Sequence, residues 1–167
     1  MKKILLVALA LLVLTMSVAA AEDIKIGQVQ YAAHGTKCFA VMTVAMQGDV
    51  IADAYIDEYQ FMATGSVGVP NSESDFGTAY PEGKVLASKK VNADSYSENM
   101  KKAGSTVHLA DNYAAIEAFV TGKTVAELEA AVAGKDAAAM VDAVSGSTLV
   151  DTLGYVNGLI EAAKAAK

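Results

Sequence analysis

The sequence predicts an α+β domain: an antiparallel sheet with helices packed against it, the last helix following a Ser- and Gly-rich turn. Three observations carry this expectation. Residues 37–47 and 50–56 are apolar runs split by Gly48-Asp49, the pattern of a β-hairpin. Thr124-Val125-Ala126-Glu127 is a capping box, which opens a helix. Leu149, Leu153, Val156, Ile160 and Ala163 recur at steps of four, three, four and three, giving one apolar helical stripe over residues 148–166.

At the N-terminus, Lys2 and Lys3 precede an uninterrupted apolar run from Ile4 to Leu14, and Ala19-Ala20-Ala21 offers a small-x-small cleavage site. This is the pattern of a secretory signal peptide, so residues 1–21 are excluded from the fold and cleavage is expected after Ala21. Retention of the segment as an N-terminal anchor is the alternative. The remaining residues 22–167 are expected to form a single extracytoplasmic domain, secreted or at the cell surface, large enough for its own core. Without Lys2 and Lys3 the formal charge falls from −6 to −8, and all thirteen basic residues are Lys. A nucleic-acid partner calls for a basic face with Arg, so that class is set aside. Cys38 is the single cysteine, which leaves no internal disulfide to staple an exported fold.

Residues 24–30 alternate apolar and polar side chains and predict a first strand, before the hairpin. Asp53, Asp57 and Glu58, at the end of the second arm, lack the Asp-x-Asp-x-Asp-Gly spacing of a calcium loop and read as a solvated face. Residues 64–84 hold both prolines among Gly, Ser, Asn and Asp, a long loop of the kind that is either a functional lid or disordered. Residues 85–91 predict a short strand. Asp94 or Ser95 then caps a helix over residues 96–103, stopped by Gly104. Residues 106–109 suggest a return to strand, and Asp111 caps a helix ending at Gly122. The capping-box helix runs to Gly134, and residues 137–139 are compatible with helix.

Several chemistries find no anchor. His34 and Cys38 are two potential metal ligands without a companion pair, and His108 stands alone in an apolar stretch. Gly122-Lys123-Thr124 lacks the first glycine of a P-loop, whose place is taken by Glu117. No Gly-x-Ser-x-Gly elbow occurs.

The stretch Asp142-Ala143-Val144-Ser145-Gly146-Ser147-Thr148-Leu149 carries more. Physically it is a tight turn, with Gly146 free to take positive φ and Ser147 or Thr148 suited to cap the last helix. An uncapped helix start is also a seat for phosphate. Asp-x-x-Ser-Gly-Ser-Thr-Leu resembles the flavinylation motif of the FMN-binding domain family, similar to the flavin-carrying C subunit of sodium-pumping quinone reductase and the G subunit of Rnf complexes. Asp57-Glu58-Tyr59-Gln60-Phe61 and Leu86-Ala87-Ser88-Lys89 resemble secreted members from Gram-positive bacteria.

The resemblance implies FMN joined to Thr148 by a phosphoester, with Asp142, Ser145, Gly146, Ser147 and Leu149 as the surrounding motif. Ser147 replaces the usual Ala, and Asp151 stands where a hydroxyl residue is common. It also implies a partner enzyme, a flavin transferase dependent on FAD and magnesium: the Thr hydroxyl attacks the phosphorus next to riboflavin and AMP leaves. Tyr59, Phe61, Met62 and, from the loop, Phe76 are candidate contacts for the flavin ring. The chain would then be an exported electron-transfer protein serving a membrane or extracellular redox partner, more a carrier than a self-contained enzyme. The alternatives are a secreted binding module for a small ligand or protein without flavin, and an oxidoreductase using non-covalent FMN.

Overall fold

The computed structural model describes residues 22–35, 37–72 and 76–167. The signal-peptide expectation lies outside the described residues. Four strands form one antiparallel meander in the order β1 (Ile24–Tyr31), β2 (Cys38–Gln47), β3 (Val50–Ala63) and β4 (Lys84–Ser88). Five helices follow: α1 (Ala93–Lys102), α2 (Leu109–Val120), α3 (Val125–Val132), α4 (Ala137–Ala143) and α5 (Thr152–Lys164). The α+β class expected from the sequence is what the chain adopts.

The hairpin closes at Gly48, whose φ of 62° suits a residue without Cβ, and pairs Gln47 with Val50. Strand β3 runs seven residues beyond the expected Ile56, because its second half takes β4 as a partner, from Tyr59 opposite Ser88 to Ala63 opposite Lys84. Alternation then fixes which side chains face the helices. On β2 these are Ala40, Met42, Val44 and Met46; on β3 they include Ala54, Ile56 and Glu58. Helix α5 lies on β1 and β2, while α2 lies on β3.

The fit of α5 on the sheet depends on missing side chains. A Cβ on Gly27 would stand 1.9 Å from the Ala162 carbonyl oxygen, and one on Gly158 would stand 2.3 Å from Met42 Sδ. Val156, Ile160 and Ala163 of the expected stripe are buried, Leu149 and Leu153 partly so, and Tyr155, Leu159 and Ala162 widen the buried face.

Helix starts differ from the sequence expectation in three places. Asn92, not Asp94 or Ser95, precedes α1, and His108, not Asp111, caps α2 through Nδ1, which accepts from the Ala110 amide. Residues 106–109 do not form a strand, since the Val107 and His108 carbonyls accept from the Asn112 side-chain amide. Helix α5 begins at Thr152, four residues after Thr148, so neither Ser147 nor Thr148 is its N-cap. The capping box at α3 forms as expected: Thr124 Oγ1 accepts from the Glu127 amide at 3.2 Å, and Glu127 Oε2 from the Thr124 amide at 2.8 Å.

The long segment after β3 is tied to the edge and outer face of the sheet. The Val69 amide donates to Leu86 O at 2.9 Å, and Val67 exchanges two hydrogen bonds with the Asn92 side chain. Tyr80 packs edge-on against both Phe61 and Phe76, with ring centroids 5.2 and 5.5 Å apart. Phe61 shares the outer face with Tyr59, which stacks on Phe39. The described part of the segment therefore packs along β4 and against Phe61, leaving Phe39 and Tyr55 of that face exposed. Among the described residues, no helix is long and apolar enough to cross a membrane.

Candidate functional site

On the helix side of the sheet, a cavity of about 450 Å³ opens between the α1–α2 connection and the turn before α5. Its size is within the range of small-molecule sites. Tyr96 and Met100 of α1, Leu109 and Tyr113 of α2, Tyr155 of α5 and the turn residues Thr148 and Leu149 supply its aromatic and much of its apolar wall. Glu58 and Lys89 line it as well, and both are almost wholly buried.

These two charges form the electrostatic centre of the site. Register places them together: Tyr59 pairs with Ser88, and the Lys89 amide donates to Glu58 O at 2.7 Å. Glu58 Oε2 accepts from Lys89 Nζ at 2.5 Å, from Tyr155 Oη at 2.9 Å and from Tyr113 Oη at 3.2 Å. Glu58 Oε1 is buried and has no hydrogen-bond partner among the described residues. Burial pulls the Lys89 ammonium down, but the adjacent carboxylate outweighs it and holds the group above its usual 10.5. Burial, then the charge of Glu58, pushes the Tyr113 hydroxyl well above the ordinary tyrosine range. Burial likewise pushes up Tyr155, seconded by Tyr113 and then Glu58. Both tyrosines stay neutral donors at physiological pH.

The sequence reading placed Asp57 and Glu58 on a solvated face, and the structure corrects this. Asp57 is buried on the outer side of the sheet, where its Oδ1 accepts from Ser88 Oγ at 2.7 Å. Glu58 projects among the helices. Asn112, unremarked in the sequence, is the other residue that builds the site. Its buried Oδ1 accepts from the Thr148 amide at 2.7 Å and so pins the turn before α5 to α2.

The stretch from Asp142 to Leu149 divides into an inner and an outer part. Gly146 takes φ of 92°. Ser147 is buried, and its hydroxyl lies 3.0 Å from Thr152 Oγ1. Thr152 donates its own proton to Leu149 O at 2.6 Å, so Ser147 is the donor in that pair. Thr148 is exposed at the cavity wall, its hydroxyl 3.4 Å from Asn112 Oδ1. At that distance an O–H donor is weakly held. Leu149 is half-buried in the same wall, while Asp142 and Ser145 are exposed and do not line the cavity. Asp151 hydrogen-bonds to His34 Nδ1, and His34 also lines the cavity.

Tyr59, Phe61, Met62 and Phe76 are not brought to Thr148; none lines this cavity. Tyr59 and Phe61 point to the outer face, where the 64–84 segment joins them, and Met62 is buried near the far end of β3. No described residue of 64–84 lines the cavity either, so that segment is not a lid over it. Residues 103–106 line it instead. No family model matches the chain, and the comparisons with curated proteins and with solved structures found no match. Among the described residues no cluster of three or more His, Cys, Asp or Glu could hold a metal ion.

Cys38 sits beside the charged pair and gives a direct probe of it. Its thiol donates to His34 O at 2.7 Å, and burial, followed by the charge of Glu58, pushes it up from 9.0 to about 11. A raised acid contributes stability that is complete below pH 9 and lost as pH rises through 11. Relative to Cys38→Ala, the wild-type protein should lose roughly 2 kcal/mol of unfolding free energy over that window. Denaturant melts of both proteins at neutral and alkaline pH measure this, and parallel profiles would refute it. At neutral pH the folded thiol should also alkylate far more slowly than in denaturant.

Proposed function

We propose that this chain is an exported FMN-binding electron-transfer protein, with the flavin attached through a phosphoester at Thr148 by a flavin transferase. The observation that carries the reading is the contrast between two adjacent hydroxyls. Thr148 presents an exposed, weakly held hydroxyl beside the cavity, on a main chain anchored by Asn112. Ser147 is buried and donates within the fold, which makes it a poor acceptor for any modifying enzyme.

The residues present fit a flavin. Tyr96, Tyr113 and Tyr155 offer aromatic wall, Met100, Leu109 and Leu149 offer apolar surface, and Glu58 Oε1 is a buried acceptor still lacking a donor. Thr148 would hold the phosphate end and the cavity the ring. When bound, the flavin supplies the redox chemistry, and the protein sets its exposure and the field around it. Asn112 fixes the position of the attachment point. The three donors on Glu58 Oε2 hold a negative charge inside the domain, and Lys89 balances it. His34 occupies the Asp151 carboxylate, which lies close in sequence to the phosphoester.

The test is intact-mass measurement of protein co-expressed with a flavin transferase. A gain equal to one FMN, mapped to the peptide containing Thr148, is the expected result. Flavin that dissociates on denaturation would instead favour a non-covalent oxidoreductase, and no flavin at all would favour a binding module. Asp142, exposed on α4, would act on the transferase and not on the fold. Asp142→Ala should therefore slow labelling under limiting transferase while shifting stability by less than about 0.5 kcal/mol.

A further inference from the structure

The buried carboxylate oxygen without a partner specifies more than that a ligand enters the cavity. Leaving an acceptor of this kind unmatched is costly, more so for a charged group. The neighbouring donors do not fill the vacancy. Tyr113, Tyr155 and Lys89 all converge on Glu58 Oε2, and the Cys38 thiol, close enough for the Glu58 charge to raise it, gives its proton to His34 O. Glu58 lines the cavity, so an occupant seated against it is in a position to supply that donor. Lys89 Nζ has three protons, one directed at Glu58, and stands 5.0 Å from the Tyr96 ring centroid in the same wall. A free acceptor and an ammonium donor thus sit side by side at a buried position among aromatic rings.

We infer that Glu58 and Lys89 read the imide edge of a planar heterocycle, Glu58 Oε1 accepting its ring N–H and Lys89 Nζ donating to the adjacent carbonyl. This rests on the flavin reading for the identity of the heterocycle. It adds the orientation: the pyrimidine end of the isoalloxazine turns in towards β3 and β4, and the dimethylbenzene end is left towards the opening. A second consequence concerns selectivity. A heterocycle lacking the N–H, or carrying a methyl group on it, leaves Oε1 unmatched and sets an apolar group against a charge.

Lumiflavin has the ring but neither ribityl chain nor phosphate, so its binding reports on the cavity without Thr148 chemistry. The flavin-free protein is titrated with lumiflavin and with N3-methyllumiflavin, following quenching of flavin fluorescence. Wild type should bind lumiflavin more tightly by roughly 10- to 100-fold, the value of a hydrogen bond to a charged group. Glu58→Gln, nearly isosteric, should lose most of that preference, and Thr148→Ala should keep it. Equal affinity of wild type for the two rings overturns the inference. So does absence of binding by either ring in protein that accepts covalent FMN, a result that leaves the proposed function standing. Conversely, preference for lumiflavin in protein that never acquires FMN supports the imide site and refutes covalent attachment. The comparison of the two ligands uses wild type alone, so it holds even if Glu58→Gln fails to fold.

Discussion

Thr148→Ala should give a folded protein that never acquires covalent flavin, while the wild type acquires it completely. The loss is all-or-none because the substitution removes the only atom proposed to bond phosphorus. The fold should barely register the change. Asn112 holds Thr148 through the main-chain amide, which alanine retains, and the side chain is exposed. Because α5 starts at Thr152, no N-cap is lost, and the cost should stay within about 0.5 kcal/mol, below the roughly 1 kcal/mol of a missing cap. Ser147→Ala should behave in the opposite way. It removes a buried donor to Thr152 and should cost about 1 kcal/mol or more, yet leave Thr148 open to labelling. Thr148→Ser should restore labelling in part. Intact mass and thermal melts of the three variants, each exported with the transferase, decide the matter. Covalent FMN on Thr148→Ala would sink the assignment.

The parts of this fold that were legible in the sequence are those fixed by local rules. Gly48-Asp49 between two apolar runs can hardly be anything but a hairpin, and Thr124 with Glu127 closes a capping box from its own side chains. The stripe from Val156 to Ala163 likewise needs only helical spacing. Where α5 begins was harder, because two hydroxyl residues compete. Thr148 looks like a cap, but Asn112 draws its amide away and the chain turns once more before Thr152. Asn112 is 36 residues distant, beyond any local rule.

Glu58 was hidden by its neighbours. Asp53, Asp57 and Glu58 together resemble a wet acidic edge, and β3 looked finished at Ile56. Once β4 extends β3, alternation separates Asp57 from Glu58 and sends the latter into the core with Ala54 and Ile56. A carboxylate in phase with an apolar face was the available clue. For residues 64–84 the composition spoke of a loop but not of which face it covers, and that depends on Tyr80 meeting Phe61.

The largest stability effect should come from breaking the buried pair on one side only. Lys89→Met should cost about 3–5 kcal/mol, because it strands the Glu58 carboxylate among tyrosines and apolar side chains. The same side chain replaced together with its partner, as Glu58→Gln with Lys89→Met, should cost much less, since no unbalanced charge is then left inside. Three hydrogen bonds converge on Glu58 Oε2, so the two sites share partners and their effects should be far from additive. The pH dependence has a definite sign. Lys89 is held above 10.5 in the folded protein, so its contribution is complete at neutral pH and fades only as pH rises through that raised value. The share of the gap between wild type and Lys89→Met that comes from this ammonium should accordingly narrow only in strong alkali. Denaturant unfolding of wild type, the two single variants and the double variant provides the cycle. If the double variant loses as much as the sum of the singles, Glu58 and Lys89 are energetically independent, and the pair is not the balanced charge on which the cavity is built.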